Sequence, residues 1–235
     1  YMLPFLDRFL PVLQHYGLEV ITPTVNERLE EADLLTYSGQ FDGVICGDDR
    51  FTERVLQACT PRLRVISKWG TGTDSIDHAA CARLGVQIKN TSNAFTLPVA
   101  DSVMGYILAF ARKQPWMDRA IKSGEWKKIP GRSLSESTLG VIGVGNIGKA
   151  VLRRASAFGM TLLGNDILPI PTDFLSEFKV QSVSLSELAQ RSDFISVNAD
   201  LNPTSRHLIN ATFLAQMKPG AVLINTARGP TVNEK

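Results

Sequence analysis

Short runs rich in Val, Ile and Leu alternate along this chain with stretches of helical periodicity. That alternation predicts an α/β architecture with parallel strands. From Leu3 to Tyr16 the spacing predicts one helix, with Phe5, Phe9, Val12 and Leu13 on a single face. The run "LEVIT" (Leu18–Thr22) reads as a strand, followed by a charged helix from Glu27 to Leu35. "GVIC" (Gly43–Cys46) and "LRVIS" (Leu63–Ser67) read as the next strands. Thr52 stands where it can cap the helix between them, and Pro61 closes that helix. "VQIK" (Val86–Lys89) completes a first block.

At Pro98 the composition turns almost wholly apolar, and "PVADSVMGYILAFARK" predicts a long helix with proline in its first turn. A boundary just before it divides the chain into residues 1–96 and 97–235. The polar stretch from Pro115 to Ser137, with two prolines, reads as a solvent-facing connection. A second block starts at Thr138. Its strands "FISVN" (Phe194–Asn198) and "AVLIN" (Ala221–Asn225) are almost continuously apolar, as buried parallel strands are.

Within the second block, "LGVIGVGNIGKA" carries the spacing Gly143-x-Gly145-x-x-Gly148. Three glycines at this spacing fit an ordinary tight turn equally well, so the flanks decide. A strand precedes them. An amphipathic helix follows, packing Ile147, Val151, Leu152, Ala155 and Phe158 and stopping at Gly159. A second strand, "MTLLGND", then ends at Asp166, 18 positions after Gly148. This is the arrangement of a dinucleotide site. Gly143 makes the turn, Gly145 lets backbone approach a diphosphate, and Gly148 permits close helix–strand contact. Amides near Asn146 and Ile147 face the diphosphate charge at the helix N-terminus. Asp166 occupies the place of a carboxylate that binds ribose hydroxyls and repels a 2′-phosphate. No arginine follows it in "ILPIP", so NAD is expected rather than NADP.

Composition narrows the remaining classes. The 235 residues are 44% hydrophobic and 20% charged, with a formal net charge of +2, a globular profile too nearly neutral to favour nucleic acid. No apolar run approaches the roughly 18 residues of a membrane span, so no membrane partner is expected. Cys46, Cys59 and Cys81 are scattered and odd in number, which reads as reduced core thiols of a cytoplasmic protein, with no metal site.

Three further stretches complete a set. "SKWGTGTDSID" (Ser67–Asp77), "SDFISVNADLNPTSRHLIN" (Ser192–Asn210) and "MKPGAVLINTARGP" (Met217–Pro230) resemble the D-isomer-specific 2-hydroxyacid dehydrogenase family, in that family's order. The resemblance implies two Rossmann-like domains: a flavodoxin-like substrate domain over 1–96 and a doubly wound NAD-binding domain over 97–235. It implies hydride transfer between NAD and a small 2-oxo or 2-hydroxy acid, in a homodimer. Arg228 matches the arginine that grips the substrate carboxylate and polarises its 2-oxo oxygen, work suited to a bidentate guanidinium. Trp69, Gly70, Thr71 and Gly72 match the loop holding the other side of that carboxylate. Thr226 and Ala227 match the lining of the nicotinamide pocket, and Thr96 a contact near it. Asn198, Ala199 and Asp200 match the loop flanking the adenosine and diphosphate.

Plainer alternatives stand beside these. Arg228 fits a strand-end ion pair, Gly70 and Gly72 a simple turn, Thr96 a helix cap, and Trp69 packing alone. "NADL" also replaces the His-x-Pro-Leu that members often carry. The family's proton-donating histidine and its glutamate partner lie downstream of the arginine, beyond Lys235, and His15, His78 and His207 match neither. Both ends therefore read as truncated. An NAD-sensing corepressor and a formate dehydrogenase are the rival readings that the resemblance leaves open.

Overall fold

The computed structural model describes residues 3–235. The chain divides between Ala94 and Phe95 into two units. In the first, a 3-10 turn (Leu3–Arg8) and helices α1 (Leu10–His15) and α2 (Glu31–Thr36) precede an alternating series. This series is β1 (Gly43–Cys46), α3 (Glu53–Cys59), β2 (Val65–Lys68), α4 (His78–Leu84) and β3 (Gln87–Asn90). The three strands are parallel and lie in the order β1-β2-β3, because each returns to the sheet through a helix. Local chemistry sets the helix ends. The Thr52 side chain accepts from the Val55 amide to start α3, and the Asp77 carboxylate accepts from the Ala80 amide to start α4. Gly85 ends α4 at φ 72°, a conformation that glycine adopts without strain. Phe51, Val55, Leu56, Leu63, Ile66 and Cys81 form the core.

The second unit opens with α5 (Thr96–Ala111) and α6 (Gln114–Lys122). Its alternating part runs β4 (Thr138–Ile142), α7 (Asn146–Ala157), β5 (Thr161–Asn165), α8 (Thr172–Phe178) and β6 (Val180–Ser182). It continues with α9 (Leu185–Arg191), β7 (Phe194–Val197), α10 (Ala211–Gln216) and β8 (Val222–Asn225). All five strands are parallel, in the order β6-β5-β4-β7-β8. Strand order reverses at β4, which makes the sheet doubly wound and creates a crevice outside the carboxyl ends of β4 and β7. Residues alternate between the two faces. Leu139 and Val141 pack with Val103 and Ile107 of α5 and Val151 and Leu152 of α7. Ile142, Ile195 and Val197 pack with Leu188 of α9 and Phe213 of α10. Each fully buried aliphatic side chain contributes about 1.5–3 kcal/mol. Among the described residues no helix is long and apolar enough to cross a membrane.

Several elements differ from the sequence expectation: the charged helix starts at Glu31 rather than Glu27, and Phe158 follows α7 as an exposed side chain. The predicted helix over 3–16 is broken into a 3-10 turn and α1, with Pro11 in the first turn of α1. Proline has no N–H to continue a preceding helix and clashes with the carbonyl four residues back. "LEVIT" forms no strand, and Leu18, Val20 and Ile21 are exposed. Among the described residues no strand pairs with it, and β propensity without a partner does not make a ladder. The polar stretch after Pro115 contains α6, a helix with that proline in its first turn.

Candidate cofactor and substrate site

At the carboxyl end of β4 the chain turns through Gly143, at φ 85°. A Cβ there would lie 2.7 Å from the Ala199 nitrogen and 2.9 Å from the Asn198 carbonyl carbon, so the turn is pressed against the end of β7. A Cβ on Gly148 would lie 2.1 Å from the Gly143 carbonyl oxygen, which fixes how closely α7 approaches the turn. Gly145 differs: a Cβ there would meet nothing within 4 Å. It is the N-cap of α7 and makes no side-chain capping bond. Backbone is therefore open to solvent where a helix concentrates its orphan amides and positive dipole end.

Asp166 closes the other side of this turn. Its Oδ2 accepts from the Val144 amide at 2.6 Å and its Oδ1 from the Leu168 amide at 2.9 Å. A carboxylate has about four acceptor positions, so two remain for further donors. Ile167 and Leu168 beside it are exposed apolar side chains.

The ends of β7 and β8 complete the row. The Asn198 amide donates to the Ile142 carbonyl at 2.8 Å, tying β7 to β4. The Asn198 side chain reaches Ser196 Oγ at 3.1 Å, and Thr226 Oγ1 approaches Asn198 Oδ1 at 3.5 Å. Asp200 is exposed, and its carbonyl accepts from Ser205 Oγ. Beyond β8, Asn225 braces the loop that carries Arg228. Its Oδ1 accepts from the Ala227 amide at 3.1 Å, and its Nδ2 donates to the Arg228 carbonyl at 2.9 Å. Arg228 itself is extended (φ −141°), and its guanidinium donates to the Ala227 carbonyl at 3.1 Å. Gly143, Asp166, Asn198, Ala199, Thr226, Ala227 and Arg228 thus share the carboxyl edge of one sheet. Thr96 is the first residue of α5.

The loop Trp69–Gly72 lies in the first unit, at the carboxyl end of β2. The Trp69 amide donates to the Cys46 carbonyl at 2.8 Å and the Gly70 amide to Thr91 Oγ1 at 2.9 Å. The amides of Thr71 and Gly72 have no acceptor among the described residues. The Thr71 carbonyl accepts from Asn90 Nδ2 at 2.7 Å, and Trp69 meets Phe9 edge to face. Cys46, at the end of β1, is buried, and burial pushes its thiol up to about 12 despite the nearby Lys68 ammonium. It is an inert core thiol at neutral pH.

Sequence reasoning missed the braces. Asn225 was legible in principle, since an Asn at a strand end that accepts from the amide two residues on is an Asx turn. Asn90, Thr91 and the buried Lys68 carry no such local signal.

Residues 104–235 match the family model described as D-isomer specific 2-hydroxyacid dehydrogenase, NAD binding domain. The chain belongs to the D-isomer-specific 2-hydroxyacid dehydrogenase family. It is 35% identical to D-3-phosphoglycerate dehydrogenase of Methanocaldococcus jannaschii, over 99% of this chain and 44% of that protein. With hydroxypyruvate reductase of Thermotoga maritima it shares 36% identity, over 89% of this chain and 68% of the relative. The structure matches D-lactate dehydrogenase from Aquifex aeolicus, solved with NAD and lactic acid. The TM-score is 0.86 at 28% identity, over 96% of this chain and 68% of that one. The chain thus spans less than half the length of the phosphoglycerate dehydrogenase it matches.

The cofactor of this family domain is NAD, and the second unit fits it. The open backbone at Gly145, the close-packed Gly143 and Gly148, and the two remaining acceptor positions of Asp166 together form a cradle that side chains would fill.

Proposed function

We propose that the protein interconverts a 2-oxo acid and a D-2-hydroxy acid with NAD. The second unit would hold the cofactor and the first the substrate. The observation that carries this reading is the placement of Arg228. It stands at the carboxyl end of β8, two residues beyond Thr226 and on the same sheet edge as the glycine turn. Bound there, NAD supplies the hydride chemistry. The diphosphate would lie on Gly145 and the first-turn amides of Asn146 and Ile147, with the ribose hydroxyls on Asp166. Thr226 and Ala227 would flank the nicotinamide, with Thr96 nearby, and Asn198, Ala199 and Asp200 the rest of the dinucleotide. Arg228 grips the substrate carboxylate and steadies negative charge developing on the 2-oxo oxygen. Asn225 holds the Arg228 backbone so that this fork is preorganised. Within the first unit, the amides of Thr71 and Gly72 would serve as donors to a substrate carboxylate.

The three relatives named above, each a dehydrogenase or reductase of a hydroxy or oxo acid, favour this reading over a regulatory one. We place the protein in the cytoplasm as a homodimer. Support for the second copy comes from the exposed Tyr106, Phe110, Trp116 and Ile121 of α5 and α6. Sedimentation of the full-length protein tests it.

The activity is tested in the full-length protein with NADH and a panel of pyruvate, glyoxylate and hydroxypyruvate. Arg228→Lys keeps the charge but loses the planar fork. It should raise the 2-oxo acid KM and lower kcat by about 10²-fold together, a loss of two to three kcal/mol, while NADH affinity stays within twofold. Unaltered kinetics would make Arg228 structural and remove the basis for this reading.

A further inference from the structure

Among the described residues Lys68 is the one buried lysine, at 2% relative exposure. It ends β2, immediately before the Trp69–Gly72 loop. Its Nζ donates to the Gly47 carbonyl and, at 2.5 Å, to Asp48 Oδ1, both in the loop that follows β1. A buried ammonium is costly unless paired, and removing one partner leaves the other's polar groups stranded. The methylene stem does separate work. A Cβ on Gly70 would lie 3.1 Å from Lys68 Cε and 3.8 Å from Cγ, so the stem runs under the loop backbone. Gly70 sits at φ 156°, a conformation uncommon for residues with a side chain.

The loop is thus gripped from two directions. On the β3 side, the Gly70 amide donates to Thr91 Oγ1, the Thr91 amide donates to the Gly70 carbonyl at 3.1 Å, and Asn90 holds the Thr71 carbonyl. On the β1 side, the Trp69 amide holds the Cys46 carbonyl and Lys68 holds Gly47 and Asp48. The Gly47 turn is itself fixed, because Asp49 Oδ2 accepts from the Gly47 amide at 2.8 Å. The unpaired amides of Thr71 and Gly72 are suspended between these grips.

We propose that Lys68 is a positioning residue. Its buried ammonium is a strut between the loops after β1 and β2 that presents the Thr71 and Gly72 amides as a preformed receptor for the substrate carboxylate. This rests on the reading that the loop binds that carboxylate. An anion receptor made of backbone amides gains most when the amides need not be ordered on binding. Lys68 does not touch the substrate.

The test separates the strut from the receptor. Lys68→Met keeps the stem and removes the donors, and Lys68→Arg keeps a charged donor. In the full-length protein, hydrogen exchange of the two bonded loop amides, Trp69 and Gly70, should quicken at least tenfold in Lys68→Met, with the second unit unchanged and Lys68→Arg largely restored. Over the same variants, the glyoxylate KM should rise about tenfold while NADH KM stays within twofold, again rescued by Arg. Unchanged exchange in Lys68→Met overturns the strut. Faster exchange with an unaltered glyoxylate KM upholds the strut and overturns the loop as carboxylate receptor. If Lys68→Met does not fold, Asp48→Asn, which alters the exposed end of the pair, is read by the same two measurements.

Discussion

Asp166 has two jobs that a single substitution separates. Facing outward, it offers acceptor positions for ribose hydroxyls. Facing inward, it already accepts from the amides of Val144 and Leu168. Val144 is buried, so in Asp166→Ala its N–H loses its acceptor. A buried donor left unpaired costs about 1–3 kcal/mol, and the bond lost is to a charged group. For a unit of this size that is a fall in Tm of roughly 2–4 °C per kcal/mol. NAD should weaken further than this strain alone requires, by about 10²-fold, because the ribose acceptors go too. NADP should weaken less, since the repulsion against its 2′-phosphate is removed in the same step. Asp166→Asn discriminates the two jobs. It retains one carbonyl acceptor for a backbone amide, so most of the stability should return while NAD affinity stays low. The assay is calorimetric binding of both cofactors beside thermal unfolding of each variant. Equal stability of the Ala variant and the unmutated protein would refute the inward role. Tighter binding of NADP than NAD by the unmutated protein would refute the outward one.

Gly148→Ala sets sterics against propensity: alanine favours a helix by about 1 kcal/mol over glycine, but here its Cβ meets backbone at 2.1 Å. The variant should be destabilised by about 1–3 kcal/mol and lose NAD affinity, and a raised Tm would refute the close approach. Asp193 is held below the usual carboxylate range: burial pushes it up, but the Thr138 amide, Lys218 and Arg132 together outweigh that. A depressed carboxylate stabilises above its unfolded value near pH 4 and loses that contribution as pH falls through the folded value. Acid unfolding of Asp193→Asn should therefore be less steep below about pH 4. Identical acid limbs for the two proteins would count against the ion network.

Much of the second unit was legible because its signals are local. The glycine turn, the strand before it and the amphipathic helix after it lie within one short stretch, and Gly159 stops that helix in a left-handed conformation at φ 72°. Thr52 likewise caps α3 from the sequence position that a capping residue needs. The failures have a different origin. "LEVIT" has the composition of a strand, but pairing is decided by the neighbour, and among the described residues no strand lies beside it. Gly140 reads as an ordinary strand residue. It is required because a Cβ there would come within 2.6 Å of Leu188 in α9, a contact visible only once the layers are stacked.

The unseen braces follow one rule. Asp166 holds Val144 across 22 residues, Thr91 holds Gly70 across 21, and Lys68 holds Gly47 across 21. Asn90 holds Thr71 across 19, and Asn165 holds the Val183 carbonyl across 18. In each case a residue at the end of one strand, or just beyond it, grips the strand end beside it. In a parallel sheet those ends are separated by one complete crossover, so the brace spacing is the length of a βα unit. The residues that meet ligand lie in the turns, whereas the side chains that fix those turns lie one crossover away. A polar residue at a strand's carboxyl end is therefore best tested against the turn about 20 positions before or after it. By that criterion Lys68 and Asp166 are equivalent, each holding the turn of the strand that precedes its own.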